Sequence, residues 1–239
     1  MVSQPPPDTS PDAAPVVAPD PPTHRGTPPA VEADLVSHWA ELPQWPPERQ
    51  LKACYVTVAD QPALHSRVAA YHRLLAPFPA LEPILPQWLH LTVQGVRFLD
   101  ELRPEVAGQL TRLLDQAFGA TTPFEVRVEH PLVSSDSVLM PVRPIGPLAA
   151  LRDRIRELLG SLPGCGELFV LPGQHDAFDP HISIAYAGGP VPRADVERAL
   201  AGYAGEPVPM TISHFSVMTL NRSQRKYHWQ DEHFVRFSA

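Results

Sequence analysis

Proline does more than any other residue to limit what this chain can fold into. Its ring fixes φ and removes a backbone donor, so it is excluded from helix interiors and central strands. The chain has 31 prolines in 239 residues, and ten of them fall within the first thirty positions. That stretch, MVSQPPPDTSPDAAPVVAPDPPTHRGTPPA, has no aromatic residue and no apolar period. It cannot bury enough surface to offset the entropy of ordering, and its prolines favour extended, solvated backbone. Residues 1–33 are therefore expected to be a disordered, proline-rich tail whose partner, if any, is not legible. Residues 34–239 are expected to form one domain.

From there the periodicity becomes regular. VEADLVSHWAEL is amphipathic and is expected to be helical up to Leu42, where Pro43, Pro46 and Pro47 break it. Strands are expected at 51–58, 87–94, 123–130, 137–142 and 179–187, from runs rich in apolar and β-branched residues. Helices are expected at 62–75, 102–118, 147–160 and 192–204. In the first, Leu64, Val68, Tyr71, Leu74 and Leu75 share a face. GELFVLPG reads as a short strand or a loop. Segments 208–222 and 226–237 read as a long hairpin turning at Arg222–Arg225. Helices alternate with strands, yet some strands follow one another directly. This favours an α+β fold with largely antiparallel sheet.

Composition removes several classes of function. Net charge is −7, with 19 Lys and Arg against 26 Asp and Glu. Duplex DNA is bound through a basic surface that displaces counterions, and this chain offers none overall. The two cysteines, Cys54 and Cys165, make no CxxC or zinc pattern and read as separate thiols in a reducing compartment. No apolar run approaches the length of a membrane span, and the N-terminus has no basic and apolar leader pattern. The expectation is a cytoplasmic monomer that needs neither membrane nor duplex DNA.

Chemistry is concentrated in the histidines, of which there are 11. Two occupy matching contexts, Trp88-Leu89-His90-Leu91-Thr92-Val93 and Asp179-Pro180-His181-Ile182-Ser183-Ile184. Each is an apolar strand interrupted by His-x-Thr or His-x-Ser. Side chains alternate along a strand, so the imidazole and the hydroxyl share a face roughly 6–7 Å apart, while Leu91 and Ile182 face the core. The two motifs lie half a chain apart, each followed by helix and further strand, which outlines a duplicated lobe. His214-Phe215-Ser216 is a third match, but it follows His181 too closely to be the partner a duplication requires.

Two imidazoles facing one cleft can act on opposite sides of a phosphorus. One takes the nucleophile's proton and the other gives a proton to the leaving oxygen. An ordinary imidazole pKa near 6.5 suits both tasks. Thr92 and Ser183 can donate to the non-bridging oxygens, where charge grows as phosphorus becomes five-coordinate.

WLHLTVQG and FDPHISIAY resemble the paired signatures of the two-histidine (2H) phosphoesterase superfamily. Within it they are most similar to the 2′-5′ RNA ligase-like proteins and the RNA 2′,3′-cyclic phosphodiesterases. The resemblance covers residues 50–239. It implies two pseudo-symmetric α+β lobes whose antiparallel sheets face a central cleft. It also implies metal- and cofactor-independent opening of a 2′,3′-cyclic phosphate or a related phosphodiester, with a small nucleotide or RNA end as substrate. His181 would activate water and His90 would protonate the leaving O3′, leaving a 2′-phosphate.

One position departs from the pattern. Many relatives carry a cation three residues after the second hydroxyl, where this chain has Tyr186. Arg97, Arg143 and Arg222 are candidates to replace that charge. Trp88, Phe98, Phe178 and Tyr186 are candidates to stack a base, or else to pack the core. Two other readings compete with the enzyme. One is a catalytically weak nucleotide- or RNA-end-binding module of the same fold. The other is a metal site using His175, His181 and His228, for which no ligand spacing speaks.

Overall fold

The change from helical to strand period along the chain is realised as four α-helices and ten strands among the described residues of the computed structural model, which are 33–40, 45, 46, 48–170, 178–203 and 205–238. Residues 1–32 of the expected tail, and His175, lie outside the described residues. In chain order the elements are β1 (Leu51–Thr57), α1 (Pro62–Leu75), β2 (Leu81–Pro83), β3 (His90–Phe98), α2 (Pro104–Phe118), β4 (Phe124–Val128), β5 (Leu132–Val133) and β6 (Ser137–Arg143). They continue with α3 (Ile145–Ser161), β7 (His181–Ala187), α4 (Arg193–Leu200), β8 (Val208–Ile212), β9 (His214–Ser223) and β10 (Lys226–Arg236).

Proline opens two of the helices, Pro62 in α1 and Pro104 in α2, at the position where a missing N–H leaves no bond unmade. The faces then follow from spacing. Leu64, Val68, Tyr71 and Leu75 of α1 are buried, as are Val106, Leu110, Leu114 and Phe118 of α2. Leu74, expected on the same face of α1, is only half-buried. A fully buried side chain of this kind contributes about 1.5–3 kcal/mol. These rows therefore fix which side of each helix meets the sheet.

The strands run β10-β9-β1-β3-β7-β6-β4-β8, all antiparallel, with β2 added to β7 and β5 to β6. The order reads as two four-stranded lobes joined where β3 meets β7. That seam consists of one residue pair, Leu91 opposite Ile182, both fully buried. The fold is thus the expected α+β architecture of two pseudo-symmetric lobes around a cleft. Cys54 and Cys165 are free and buried. No helix among the described residues is long and apolar enough to cross a membrane.

Four expectations need correction. Residues 33–40 are not helical. Their amides are used by distant strands and loops: Leu35 exchanges two hydrogen bonds with Val191, Val36 donates to the Ser135 carbonyl and His38 to that of Ala187. The apolar pattern that suggested a helix serves instead to bury Leu35 completely. The strand expected from residue 87 begins at His90, because Pro86–Trp88 form a 3-10 turn. The single strand expected over 208–222 is two. β8 pairs with β4 in one lobe, the chain crosses at Ser213, and β9 pairs with β1 in the other. Finally, α4 ends at Leu200, not at residue 204. The described part of GELFVLPG is a loop, anchored by the Phe169 amide donating to the Val96 carbonyl.

Candidate active site

His90 and His181 are each the first residue of a strand; His90 follows the 3-10 turn at Pro86–Trp88, and His181 follows the non-strand residues 178–180. This placement gives both rings the same internal bond. His90 Nδ1–H donates to the Trp88 carbonyl at 2.8 Å, and His181 Nδ1–H donates to the Asp179 carbonyl at 2.8 Å. A carbonyl can only accept, so each bond selects the Nδ1-protonated tautomer in the neutral ring. Both Nε2 lone pairs are left for the cleft. The antiparallel pairing about Leu91 and Ile182 then sets His90 beside Ser183, and His181 beside Thr92. Each imidazole is next to the other motif's hydroxyl, as a two-fold arrangement around one phosphorus would require.

A phenol accompanies each hydroxyl. Tyr55 is the cross-strand partner of Thr92 in β1, and Tyr186 lies near Ser183 further along β7. Burial raises the pKa of both phenols well above the ordinary range, so both stay neutral donors. The rings differ more. Tyr55 lies flat on His90, centroids 4.5 Å apart and planes within 2°, and Trp229 meets the same imidazole edge-on at 5.6 Å. Tyr186 stacks on a third histidine, His38, at 4.0 Å.

The cover over His90 has an electrostatic consequence. Removal from water disfavours the imidazolium and brings the His90 pKa down to about 4, aided by the nearby His181 and opposed by the Trp88 carbonyl. His90 is therefore neutral at neutral pH.

These groups line a cleft of about 730 Å³ that also includes His38, Asp136, Gln94, Arg152, Phe178 and Tyr227. The expected residues are brought together unevenly. His90, Thr92, His181, Ser183, Tyr186 and Phe178 line it. Arg97 and Arg143 do not: Arg97 is held by Glu101 and the Glu167 carbonyl, and Arg143 by Asp179. Arg222 is buried and donates to the carbonyls of His38 and Ala40. Phe98 packs with Trp45 and Phe169 in a small separate core. His214 lies outside the cleft against Phe234, which agrees with its exclusion as a partner.

Three contributors went unread in the sequence. Among the described residues, Arg152 of α3 is the Lys or Arg that lines the cleft. It sits 4.9 Å over the Phe178 ring, with its Nε 3.4 Å from the Gln94 amide oxygen. Gln94 was within reach of inference, because it extends the His90, Thr92 alternation by one further step. His38 enters from the segment misread as helix. Its Nδ1 is 2.9 Å from Asp136 Oδ2 and its Nε2 is 3.2 Å from the Tyr227 hydroxyl. Among the described residues, no group of three or more His, Cys, Asp or Glu is placed to hold a metal ion.

A family model described as the 2′-5′ RNA ligase superfamily matches residues 60–224. The chain belongs to this superfamily. As a 2′-5′ RNA ligase superfamily member it shares its fold with solved structures of the 2H phosphoesterase type. The structure of TT0787 from Thermus thermophilus is 17% identical, with a TM-score of 0.57 over 80% of this chain and 100% of its own. Escherichia coli LigT complexed with 3′-AMP is 14% identical, with a TM-score of 0.53 over 78% of this chain and 98% of its own. LigT complexed with NADP+ is 13% identical, at 0.53 over 80% and 99%. No protein of curated function matches this chain in sequence. At these identities the neighbours establish the fold of this superfamily member and leave its substrate to be argued from its own residues.

Proposed function

We propose that this protein is a phosphodiesterase that opens a 2′,3′-cyclic phosphate on a nucleotide or RNA end by two-imidazole acid–base catalysis. The observation that carries the reading is the matched pair of Nδ1–H to carbonyl bonds, which leave both Nε2 atoms facing one cleft with a hydroxyl beside each. In the order that the family resemblance implies, His181 Nε2 takes a proton from water as the oxygen attacks phosphorus. His90 gives a proton to O3′ as the P–O3′ bond breaks, and a 2′-phosphate remains. Thr92 and Ser183 donate to the non-bridging oxygens, and the Arg152 charge favours the anion over bulk solvent. Both proton transfers are supplied by side chains, so no step calls for a metal ion.

His90 is neutral in the free protein, so it must take up a proton from solvent as the substrate binds. A phosphodiester anion drawn beside the ring favours the imidazolium and works against desolvation. Substrate binding thereby charges the acid.

The test is a panel of 2′,3′-cyclic mononucleotides, RNA with a cyclic phosphate end, 2′-5′ linked oligonucleotides and ADP-ribose cyclic phosphate, followed by phosphorus NMR. Release of a 2′-phosphate from a cyclic substrate is expected. Nucleotide binding without turnover of any of them would replace the enzyme with a binding module.

A further inference from the structure

A second compartment also borders His90. It encloses about 280 Å³, and its lining includes Trp39, Trp88, Tyr186, Tyr227, Arg225 and Lys226. It shares His90, Tyr186 and Tyr227 with the catalytic cleft. Its volume falls just under the ~300–1,000 Å³ usual for small-molecule sites, which suits one ring system and not a dinucleotide.

The walls are aromatic and are held by one carboxylate. Trp39 stands 5.5 Å from Tyr227 and 5.3 Å from Tyr186, centroid to centroid. Its indole N–H donates to Glu82 Oε2 at 2.9 Å. The other oxygen of Glu82 pairs with Arg225 at 2.7 Å. Arg225 occupies the β9–β10 turn with Gln224, both at positive φ (55° and 53°). Non-glycine residues rarely adopt that conformation, and tight hairpin turns of this form favour Asn-Gly. The strained turn aims a long cation at the compartment mouth. Gly188 keeps that path clear, because a Cβ there would overlap the Arg225 guanidinium. Trp39 itself comes from residues 33–40, which precede the part matched by the family model.

We propose that this compartment is a subsite for the nucleobase of the substrate. The base slides between the Trp39 and Trp88 sides while its ribose phosphate lies at His90, and Arg225 and Lys226 meet a further phosphate of the same strand. The subsite rests on the phosphodiester reading given above and makes it specific: substrates with a base are selected over base-less sugar phosphates, and segment 33–40 is the selecting element.

Calorimetric titration of the full chain with adenosine 2′-phosphate, ribose 2-phosphate and adenosine tests it. Stacking of one base is worth about 1–3 kcal/mol, so the adenosine 2′-phosphate should bind about 5- to 150-fold tighter than ribose 2-phosphate. Trp39→Ala should collapse that ratio toward one, and Trp39→Phe should keep most of it. Tryptophan fluorescence should be quenched by adenosine in the wild type and less so in Trp39→Ala. Equal affinity for the two phosphates, or a ratio untouched by Trp39→Ala in a variant that melts as the wild type does, overturns the subsite. Binding of adenosine with no binding of ribose 2-phosphate would instead overturn the phosphate reading and leave the base site standing.

Discussion

Replacing His90 by glutamine should change how the fold responds to acid. The imidazole lies under Tyr55 and against Trp229, and its pKa falls from about 6.5 to about 4 on folding. The unfolded chain therefore takes up a proton that the folded chain refuses. The neutral ring is fully compatible with folding above pH 6.5. Stability then drops as the pH falls from 6.5 toward 4, at up to about 1.4 kcal/mol per pH unit. Over the whole interval the loss approaches about 3 kcal/mol, the limit for a ring wholly withdrawn from water. Glutamine does not titrate and still offers an N–H to the Trp88 carbonyl. Urea unfolding of both proteins at several pH values from 7.5 to 4 measures the difference. The His90→Gln protein is not expected to match the wild type at pH 7, but the gap between the two should shift in favour of the variant by about 2–3 kcal/mol on acidification. Parallel stability curves would show that His90 is not desolvated, and with it the account of substrate-driven protonation would fall.

Other consequences are checked by simpler measurements. His90→Ala and His181→Ala should each lower turnover of a cyclic phosphate by about 10²–10⁴-fold, with a double mutant far from multiplicative, while His214→Ala stays within a few-fold. Arg152→Met should cost about 10–100-fold in kcat/KM through the lost charge in the cleft, and an unchanged value would remove Arg152 from the phosphate site. Product-analogue affinity should rise as pH falls from 7 toward 5, with proton uptake visible as a buffer-dependent heat of binding, because the anion raises the His90 pKa. Turnover should persist in excess EDTA, and a requirement restored by adding a divalent ion would defeat the two-imidazole mechanism.

What the sequence revealed depended on how local the physics was. Helix α1 falls on the expected residues, because its proline start and apolar row lie within fourteen positions. The motif faces were legible for the same reason, since strand alternation alone places His90 with Thr92 and His181 with Ser183. Segment 33–40 was misread because the groups that take its amides, at Ser135, Ala187 and Val191, lie far along the chain. Arg152 was invisible because a cation on the polar face of a helix resembles every solvated arginine until Gln94 and Phe178 are brought beside it. Arg97 and Arg143 were singled out for closeness in sequence to the motifs, yet their guanidinium groups are engaged elsewhere. Tyr186 illustrates the reverse case. It replaces an expected cation, and it is buried with its ring stacked on His38.

The crossing at Ser213 has a bearing on how this molecule comes apart. Five residues before it complete the far lobe, and ten after it supply the strand that flanks β1 in the near one. The two halves are thus braided, each finished by neighbouring stretches of one late segment. A nascent chain that has emerged only as far as α3 holds β1 with one flank bare and β4 without its outer neighbour. Neither half can mature before β8 and β9 arrive, and neither can be shed alone afterwards. Melting should accordingly be a single all-or-none event, and the duplicated halves, whatever their origin, no longer have separate lives.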